Sequence, residues 1–218
     1  MLSIEVGGAE LRLLAERAAF VVTESTLLVA DAHIGKAQAF RRLGVPVPGG
    51  TTAGTLRRLE AALAATAARR IVFLGDLLHA AHGRGAATLA EVQRWRETHP
   101  ALELVLVRGN HDSHAGDPPP AWGVQCVSGP LPLGPLALVH EPQPVAGRYA
   151  LGGHLHPAVS LADGAHGRVR LPCFHFGATV GVLPAFGEFT GSASVRPAPG
   201  DRLVVIAGDE VRPLHCAP

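Results

Sequence analysis

Five short segments of the sequence carry side chains that can bind metal ions. In chain order they supply Asp31 and His33, then Asp76, then Asn110, His111 and Asp112, then His140, and finally His154 and His156. Carboxylate and amide oxygens mixed with imidazoles, without a thiolate, favour Mn²⁺ or Fe, allow Zn²⁺ and disfavour Ca²⁺. Two such cations about 3.5–4 Å apart need a bridging carboxylate, and Asp76 is the natural bridge. The pattern predicts a two-metal hydrolase site.

Each of these segments follows an apolar run that is typical of a buried strand. The runs are residues 26–30, 71–74, 104–107, 136–139 and 150–151. Because residues two apart on a strand point to the same face, we expect Asp31 and His33 to project toward one side, and likewise His154 and His156. Polar ligands at the ends of hydrophobic strands indicate a functional site rather than a requirement of the fold.

The rest of the pattern predicts the elements that hold these segments. The first 30 residues predict three short strands, with turns near Gly8 and Ser25. Leucines at helical spacing predict a helix over residues 51–70, capped by Thr51 or Thr52, and a similar pattern predicts another over residues 86–99. Short apolar runs separated by Gly and Pro follow residue 120. We therefore expect an α/β fold with two sheets packed face to face and helices outside.

Composition and charge constrain the remaining possibilities. The chain has 218 residues, 47% of them apolar, which predicts one good core and a single domain over residues 1–218. Its 19 basic and 18 acidic residues nearly balance, so any DNA contact must rest on local patches. Lys36, Arg41 and Arg42 form such a patch just beyond His33. They could clamp a substrate phosphate or form a solvated face, and the sequence favours neither.

Cysteine usage and hydropathy predict a cytoplasmic location. Cys126, Cys173 and Cys216 are far apart and odd in number, so no disulfide framework or zinc motif can be assigned. The N-terminus carries Glu5 and Glu10 where a secretory signal needs a basic start and an apolar core. Apolar stretches are broken well before the ~20 residues that span a membrane. No contact with a membrane is expected, and the oligomeric state cannot be deduced.

The order of the motifs, D-x-H, G-D, G-N-H-D, H and G-H-x-H, resembles that of the calcineurin-like metallophosphoesterases. Flanking stretches, such as LGDLLHA at residues 74–80 and LPAFGEFTG at residues 183–191, resemble a narrower group within that family. These are the bacterial ligase-associated DNA-damage-response endonucleases called PdeM. The likeness extends from about Leu28 to about Asp201.

This resemblance implies a fold, a ligand set and a substrate. The fold is a four-layer αββα sandwich. One metal is held by Asp31, His33, Asp76 and His156, and a second by Asp76, Asn110, His140 and His154. His111 is then the imidazole beside the scissile phosphate, and Asp112 fixes its orientation and tautomer. On the residues alone, Asp112 could instead cap the turn that follows it. The implied substrate is DNA, with Mn²⁺ as the first choice of metal and a functional association with a DNA ligase and a helicase.

Three classes of function remain open on the sequence alone. The resemblance favours a nuclease or phosphatase acting on DNA in repair. A small-molecule phosphodiesterase or phosphatase, acting for example on cyclic or lipid-linked nucleotides, would need the same metals under a different pocket roof. A metal-free scaffold is disfavoured because the whole ligand set is present. Three further residues merit attention near the site: His79 and His82, which follow Asp76, and Glu188, which could approach it or be an ordinary loop carboxylate.

Overall fold

The computed structural model describes residues 1–162 and 167–214. Cys216, which entered the cysteine argument, lies outside the described residues. Within them the chain forms sixteen strands and four α-helices, and the strands make two sheets. The mixed α/β sandwich predicted from the sequence is confirmed.

The first sheet combines an antiparallel meander with a parallel half. Its strands, in spatial and chain order, are β1 (Leu2–Val6), β2 (Ala9–Leu13), β3 (Ala19–Val21), β4 (Thr26–Val29), β5 (Arg70–Leu74), β6 (Glu103–Val107) and β7 (Val124–Val127). Neighbours from β1 to β4 are antiparallel, and those from β4 to β7 are parallel. The meander has four strands rather than the predicted three, because a turn closed by Leu14 N–H donating to the Ala18 carbonyl (2.9 Å) separates β2 from β3.

The second sheet is built from the rest of the described chain. Its strands are β8 (Leu131–Leu133), β9 (Leu136–Leu138), β10 (Tyr149–Gly152), β11 (Pro157–Ala162), β12 (Arg168–Phe176), β13 (Val180–Val182), β14 (Ala193–Ser194), β15 (Arg202–Ala207) and β16 (Glu210–Leu214). The order is β14-β11-β12-β13-β10-β9-β8, with β15 pairing with β12 and β16 with β15. Strand β10 lies between β9 and β13 and is parallel to both.

The helices are α1 (Lys36–Arg42), α2 (Thr51–Ala64), α3 (Ala86–Thr98) and α4 (Asn110–Ala115). The two long helices were predicted, although α2 ends six residues earlier than expected. Gly50, rather than a threonine, is its N-cap, and no side chain caps the helix. Helix α4 was not predicted, because six residues are too few to show an apolar period.

Two hydrophobic clusters account for the layering. Between the sheets lie residues of both, including Leu11, Val72, Leu138 and Phe174. On the other face of the first sheet, Leu59 of α2 and Trp95 of α3 belong to a second cluster. A smaller cluster built on β11, β12 and β15 lies on the other face of the second sheet. No helix in the described ranges combines the length and the apolar character needed to cross a membrane.

This topology positions one edge of the sandwich for chemistry. The parallel strands β4, β5 and β6 end at the same edge, and so do β9, β10 and β13 in the second sheet. Loops that leave the carboxyl ends of parallel strands commonly carry ligand sites in α/β proteins. All five segments singled out in the sequence lie on these loops.

Candidate active site

Backbone hydrogen bonds join the loops of the two sheets at this edge. Phe186 N–H donates to the Ala30 carbonyl (2.8 Å), and Gly187 N–H to the Asp31 carbonyl (3.2 Å). Within the first sheet, His33 N–H donates to the Asp76 carbonyl (2.9 Å). The loops are therefore fixed relative to one another by main-chain contacts, independently of the side chains that they present.

The candidate ligands project from turns in the left-handed region of backbone space. Seven described non-glycine residues have positive φ, and five of them are candidate ligands: Asp31 (51°), His33 (44°), Asp76 (50°), His154 (64°) and His156 (47°). Such a conformation costs roughly 1–3 kcal/mol per residue and clusters at functional sites. Asp31 and His33 project toward the same site, as expected, but these turns rather than strand alternation aim them, because β4 and β10 end before the ligands begin.

Two buried carboxylates lie at the centre of the site. Asp31 is fully buried; its Oδ2 accepts the His154 N–H (2.8 Å), while its Oδ1 has no hydrogen-bond partner among the described residues. Asp76 Oδ1 is 3.5 Å from His140 Nε2, and its Oδ2 is 3.8 Å from His33 Nε2. Asp76 thus faces imidazoles from both sheets, as the predicted bridging position requires.

The imidazoles are oriented by carbonyl groups that leave one ring nitrogen free. His140 Nδ1 contacts the Leu74 carbonyl (3.0 Å), and His156 Nδ1 contacts the Gly191 carbonyl (3.1 Å). A carbonyl can only accept, so each Nδ1 carries the proton and each Nε2 presents a lone pair. His140 Nε2 lies 2.8 Å from Asn110 Oδ1, and His156 Nε2 lies 3.4 Å from His33 Nε2.

His33 is held in its neutral form. Burial lowers its pKa to about 2, and the charge of Lys36 and the neighbouring imidazoles of His156, His79 and His111 act in the same direction. A neutral imidazole is the form that binds a metal.

These groups fall into two clusters that suit divalent cations. One contains Asp31, His33 and His156, and the other Asp76, His140 and His154, with ligand atoms within 4.8 Å of one another in each. Within the described part of the chain, neither carboxylate has a lysine or arginine within ion-pair distance. Burying two carboxylates without a neighbouring cation costs free energy, and the converging imidazole lone pairs repel one another. A bound cation would relieve both effects. The residues present therefore fit metal ions.

Glycines give the ligand loops the space that they need. A Cβ at Gly109 would overlap Asp76 Oδ1, and one at Gly75 would overlap the His140 ring. Gly75 also has a φ of 78°, which only glycine adopts freely. Any larger residue at either position would displace a candidate ligand.

His111 stands beside this centre rather than within it. Its Nδ1–H donates to the His79 carbonyl (2.8 Å), so Nε2 is the free nitrogen, 4.0 Å from Asp76 Oδ2. Its side chain is 37% exposed, whereas those of the two aspartates are almost inaccessible. The backbone N–H of His111 donates to Asp76 Oδ1 (2.9 Å). The geometry leaves Nε2 available to a bound substrate.

Asp112 does not contact His111, which corrects the expectation that it fixes that ring. Its carboxylate accepts the backbone N–H groups of Asp76 (2.7 Å), Gly109 (2.9 Å) and Leu78 (3.3 Å). Burial raises the pKa of Asp112, the hydrogen bonds from Gly109 and Leu78 oppose the increase, and the Asp76 charge adds to it. Asp112 is a positioning residue for the Asp76 loop and caps the start of α4.

His79 is a neighbour whose contacts could not be read from the sequence. Its ring stacks on His111 (centroids 4.7 Å apart), and its Nδ1 lies 3.4 Å from His33 Nδ1. Burial lowers its pKa to about 4, helped by Lys36 and then His111. The sequence signal was its position three residues after Asp76. His82 lies exposed in the 3₁₀ turn that follows.

The predicted basic patch is only partly brought to the site. Lys36 is half-buried and lines a small cavity with His33 and Glu188; burial lowers its pKa, against the opposing charges of Asp76 and Asp31. Arg41 and Arg42 are exposed in the last turn of α1, roughly 8–9 Å further along the helix, since each residue rises about 1.5 Å. Arg41 donates to the Pro48 carbonyl (3.3 Å).

No protein-family model matches the chain, and the search of curated proteins gives no match. Among solved structures, the chain is similar to the crystal structure of the Pseudomonas putida nuclease MPE. The sequences are 46% identical over 98% of this chain and 99% of that one, with a TM-score of 0.86.

The fold and the site define the class: a mixed α/β two-sheet sandwich with a carboxylate and imidazole centre at its edge. Within that class, the chain belongs to the nuclease family represented by the Pseudomonas putida nuclease MPE.

Proposed function

We propose that the protein is a metal-dependent nuclease that hydrolyses phosphodiester bonds in DNA. The observation that carries the proposal is the pair of ligand clusters around Asp76, in a chain 46% identical to a nuclease over nearly its full length. An endonuclease working in repair beside a DNA ligase and a helicase in the cytoplasm is the role we favour, with residues 1–218 acting as one domain.

The assignment of ligands follows the two clusters. Asp31, His33 and His156 would hold one cation, Asn110, His140 and His154 the other, and Asp76 would contact both. Mn²⁺ is the first choice for this mixture of oxygen and imidazole ligands, with Fe or Zn²⁺ as alternatives. When bound, such cations stabilise charge on phosphoryl oxygens and provide an ionised nucleophile near neutral pH.

Two further residues have different roles: His111 transfers a proton, and Asp112 positions a ligand loop. His111 presents Nε2 toward the substrate side, and when the ring carries a proton on both nitrogens, Nε2–H can donate a proton to the leaving oxygen or stabilise charge on the phosphoryl group. The His79 carbonyl holds the ring in that orientation. Asp112 acts at one remove, because it fixes the loop from which Asp76 projects.

The shape of the site supports a polymeric substrate over a small molecule. A cavity of about 220 Å³ borders His156, and another of about 230 Å³ borders Asn110 and His140. Each is smaller than the roughly 300–1,000 Å³ of pockets that enclose a whole ligand. The two cavities border different candidate ligands, an arrangement that suits a chain extending past the centre.

Metal dependence is tested by removing and restoring the cations. Protein treated with a chelator should neither bind metal nor cleave single-stranded, duplex or flapped DNA, and Mn²⁺ should restore both, with two ions per chain by elemental analysis. Failure to bind Mn²⁺, Fe²⁺ or Zn²⁺ would refute the proposal. Good hydrolysis of bis-p-nitrophenyl phosphate with no cleavage of DNA at low salt would reduce it to a small-molecule phosphodiesterase.

The bridging role of Asp76 has a matched control in the chain. Asp76→Asn should lose metal occupancy and activity together, because it removes a charge that both clusters share. Asp209→Asn makes the same chemical change at an exposed position between β15 and β16 and should alter neither. Full metal occupancy in Asp76→Asn would show that the assignment is wrong.

A further inference from the structure

One cavity beside the site carries cationic groups that the proposed reaction does not use. It borders His156, a candidate ligand, and its lining includes Arg17, Arg170, Glu188 and Thr190. Neither arginine was singled out in the sequence. Arg17 lies in the turn between β2 and β3, and Arg170 on β12, so residues distant in the chain place two guanidinium-bearing side chains on the lining of one cavity.

The guanidinium of Arg17 is held in place but is largely unsatisfied. Its only hydrogen bond to a described residue is a long one, from Nη1 to the Ala185 carbonyl (3.5 Å). Burial lowers the pKa of Arg17, Arg58 acts in the same direction, and Glu188 opposes it. A guanidinium has five N–H donors, so most of those on this half-buried group lack a described protein partner.

The backbone of Arg17 is also unusual. It adopts a φ of 63°, one of two left-handed non-glycine residues outside the ligand set in the described chain. Glycine would take that conformation without strain. Arginine therefore occupies a position where the backbone conformation favours glycine. Backbone strain of this kind is concentrated at functional sites.

Arg170, which lines the same cavity, is fixed by neutral oxygens. Its Nε and Nη1 donate to the hydroxyls of Ser192 (2.6 Å) and Ser194 (3.1 Å), and its Nη2 to the Ser192 carbonyl (2.8 Å). These hydrogen bonds orient the group without neutralising its charge. The charge of Glu188, by contrast, is offset by Arg58 at 3.5 Å.

The cavity on the other side of the centre lacks this excess of positive charge. Its lining includes Arg108 and Glu141. Arg108 makes two hydrogen bonds of 2.8 Å to the Asp117 carboxylate, so its charge is already paired. The two openings of the site therefore differ in their affinity for an anion.

We infer that Arg17 and Arg170 form a subsite for a non-scissile phosphodiester group of the substrate strand, on the His156 side of the metal centre. This inference rests on the proposed nuclease function and specifies how the polymer is held. The subsite takes one backbone phosphate next to the bond that is cut, and the cavity of about 220 Å³ has room for a phosphate and part of its sugar rather than a complete ligand.

The first test measures binding without catalysis. Metal-free protein is titrated with a fluorescein-labelled single-stranded oligothymidine, and anisotropy is followed at several salt concentrations. The double variant Arg17→Gly and Arg170→Gln should bind about 10- to 100-fold more weakly for each charge-assisted hydrogen bond that it removes. The slope of log affinity against log salt should fall by about 0.7 in magnitude, the value for the one phosphate of a single strand that the two arginines neutralise together.

The choice of variants guards against misfolding. Glycine suits the left-handed backbone at position 17, and Arg170 is exposed, so the single variant Arg170→Gln provides a second, independent measurement. The matched control is the double variant Arg69→Gln and Arg94→Gln. It removes the same charge from exposed positions, one directly before β5 at the opposite edge of the sheet and one on α3, and should bind DNA as the wild type does.

The second test locates the phosphate. Oligonucleotides with a single neutral methylphosphonate linkage, moved one step at a time from the cut, are cleaved with Mn²⁺ present. Wild-type protein should be slowed most by one linkage on one side, and the double variant should show no such minimum. DNA cleavage should also fall at least tenfold more than hydrolysis of bis-p-nitrophenyl phosphate, which has no second phosphate.

The outcomes separate the subsite from the function that it serves. If the double variant binds DNA as tightly as the wild type, or if the control loses as much affinity, the subsite is wrong even when DNA is cleaved. If the Arg17→Gly and Arg170→Gln double variant loses DNA cleavage and small-diester hydrolysis equally, the arginines act on the metal centre instead, and the subsite is also refuted. If the wild type cleaves no DNA, the nuclease proposal fails, and the metal-free titration still decides whether the arginines hold a phosphate.

Discussion

Asp112 gives the sharpest separation of positioning from chemistry. Its carboxylate accepts three buried backbone N–H groups, from Asp76, Leu78 and Gly109. Asp112→Ala leaves all three without a partner, and at about 1–3 kcal/mol for each unsatisfied donor we expect a loss of at least about 3 kcal/mol of unfolding free energy. This is a large part of the roughly 5–15 kcal/mol of a typical domain.

Asp112→Asn should lose less unfolding free energy, because it can keep some of these hydrogen bonds. Oδ2 receives the two shorter bonds and Oδ1 the longer one, from Leu78. An amide can keep the first two on its oxygen while its NH₂ group faces the Leu78 N–H, so we expect about 1–3 kcal/mol. Both variants should bind metal less well, because the Asp76 loop is no longer fixed.

Denaturant unfolding of metal-free protein and elemental analysis of metal-loaded protein measure these two effects. His111→Ala is the comparison, since it removes the neighbouring ring without touching the carboxylate. If Asp112→Ala were as stable as His111→Ala, kept both metals and lost only turnover, Asp112 would act through catalysis, and the positioning role would be refuted.

Three further predictions concern the same site. His111→Ala should keep its metals and lose roughly 10²–10⁴-fold in turnover on substrates with poor leaving groups, as expected of a general acid, and full activity there would contradict that role. Metal-free protein should lose stability between pH 6.5 and pH 5, because the pKa values of His33 and His79 are lowered to about 2 and about 4 and the unfolded chain binds their protons in that range. His33 should account for about 1.6 kcal/mol of this loss, so thermal unfolding of His33→Asn should show a pH dependence that is smaller than that of the wild type by this amount. Gly109→Ala should abolish metal binding by overlap with Asp76 Oδ1, while Gly49→Ala, whose Cβ would meet only Arg41 at 3.8 Å, should bind metals normally in the same elemental analysis.

The strands and the long helices could be predicted because burial imposes their periodicity. Apolar runs before each ligand segment became β4, β5, β6, β9 and β10, and the two leucine-spaced stretches became α2 and α3. The turn between β2 and β3 was missed, because residues 14–18 contain neither glycine nor proline and the left-handed backbone of Arg17 leaves no mark in the pattern.

The ligand types could be predicted from the sequence, but not how they are aimed. Chemistry alone selects aspartate, asparagine and histidine for a metal centre. Their direction depends on left-handed turns at residues such as Asp31 and His154, and no residue type announces such a turn when it is not glycine. The partners of Asp112 and the pairing of Arg17 with Arg170 depend on contacts between distant parts of the chain, which spacing cannot show.

The main-chain hydrogen bonds between the two sheets also determine at what stage of synthesis the site can form. The Ala30 and Asp31 carbonyls accept N–H groups from Phe186 and Gly187, more than 150 positions later in the sequence. During synthesis, the first sheet can assemble as soon as β7 emerges, yet His140, His154 and these late donors have still to be made. A partly made chain therefore presents Asp31 and Asp76 with half of their partners missing. If the proposed function is right, phosphodiester cleavage is acquired only after most of the protein has left the ribosome, so a truncated chain should show no nuclease activity.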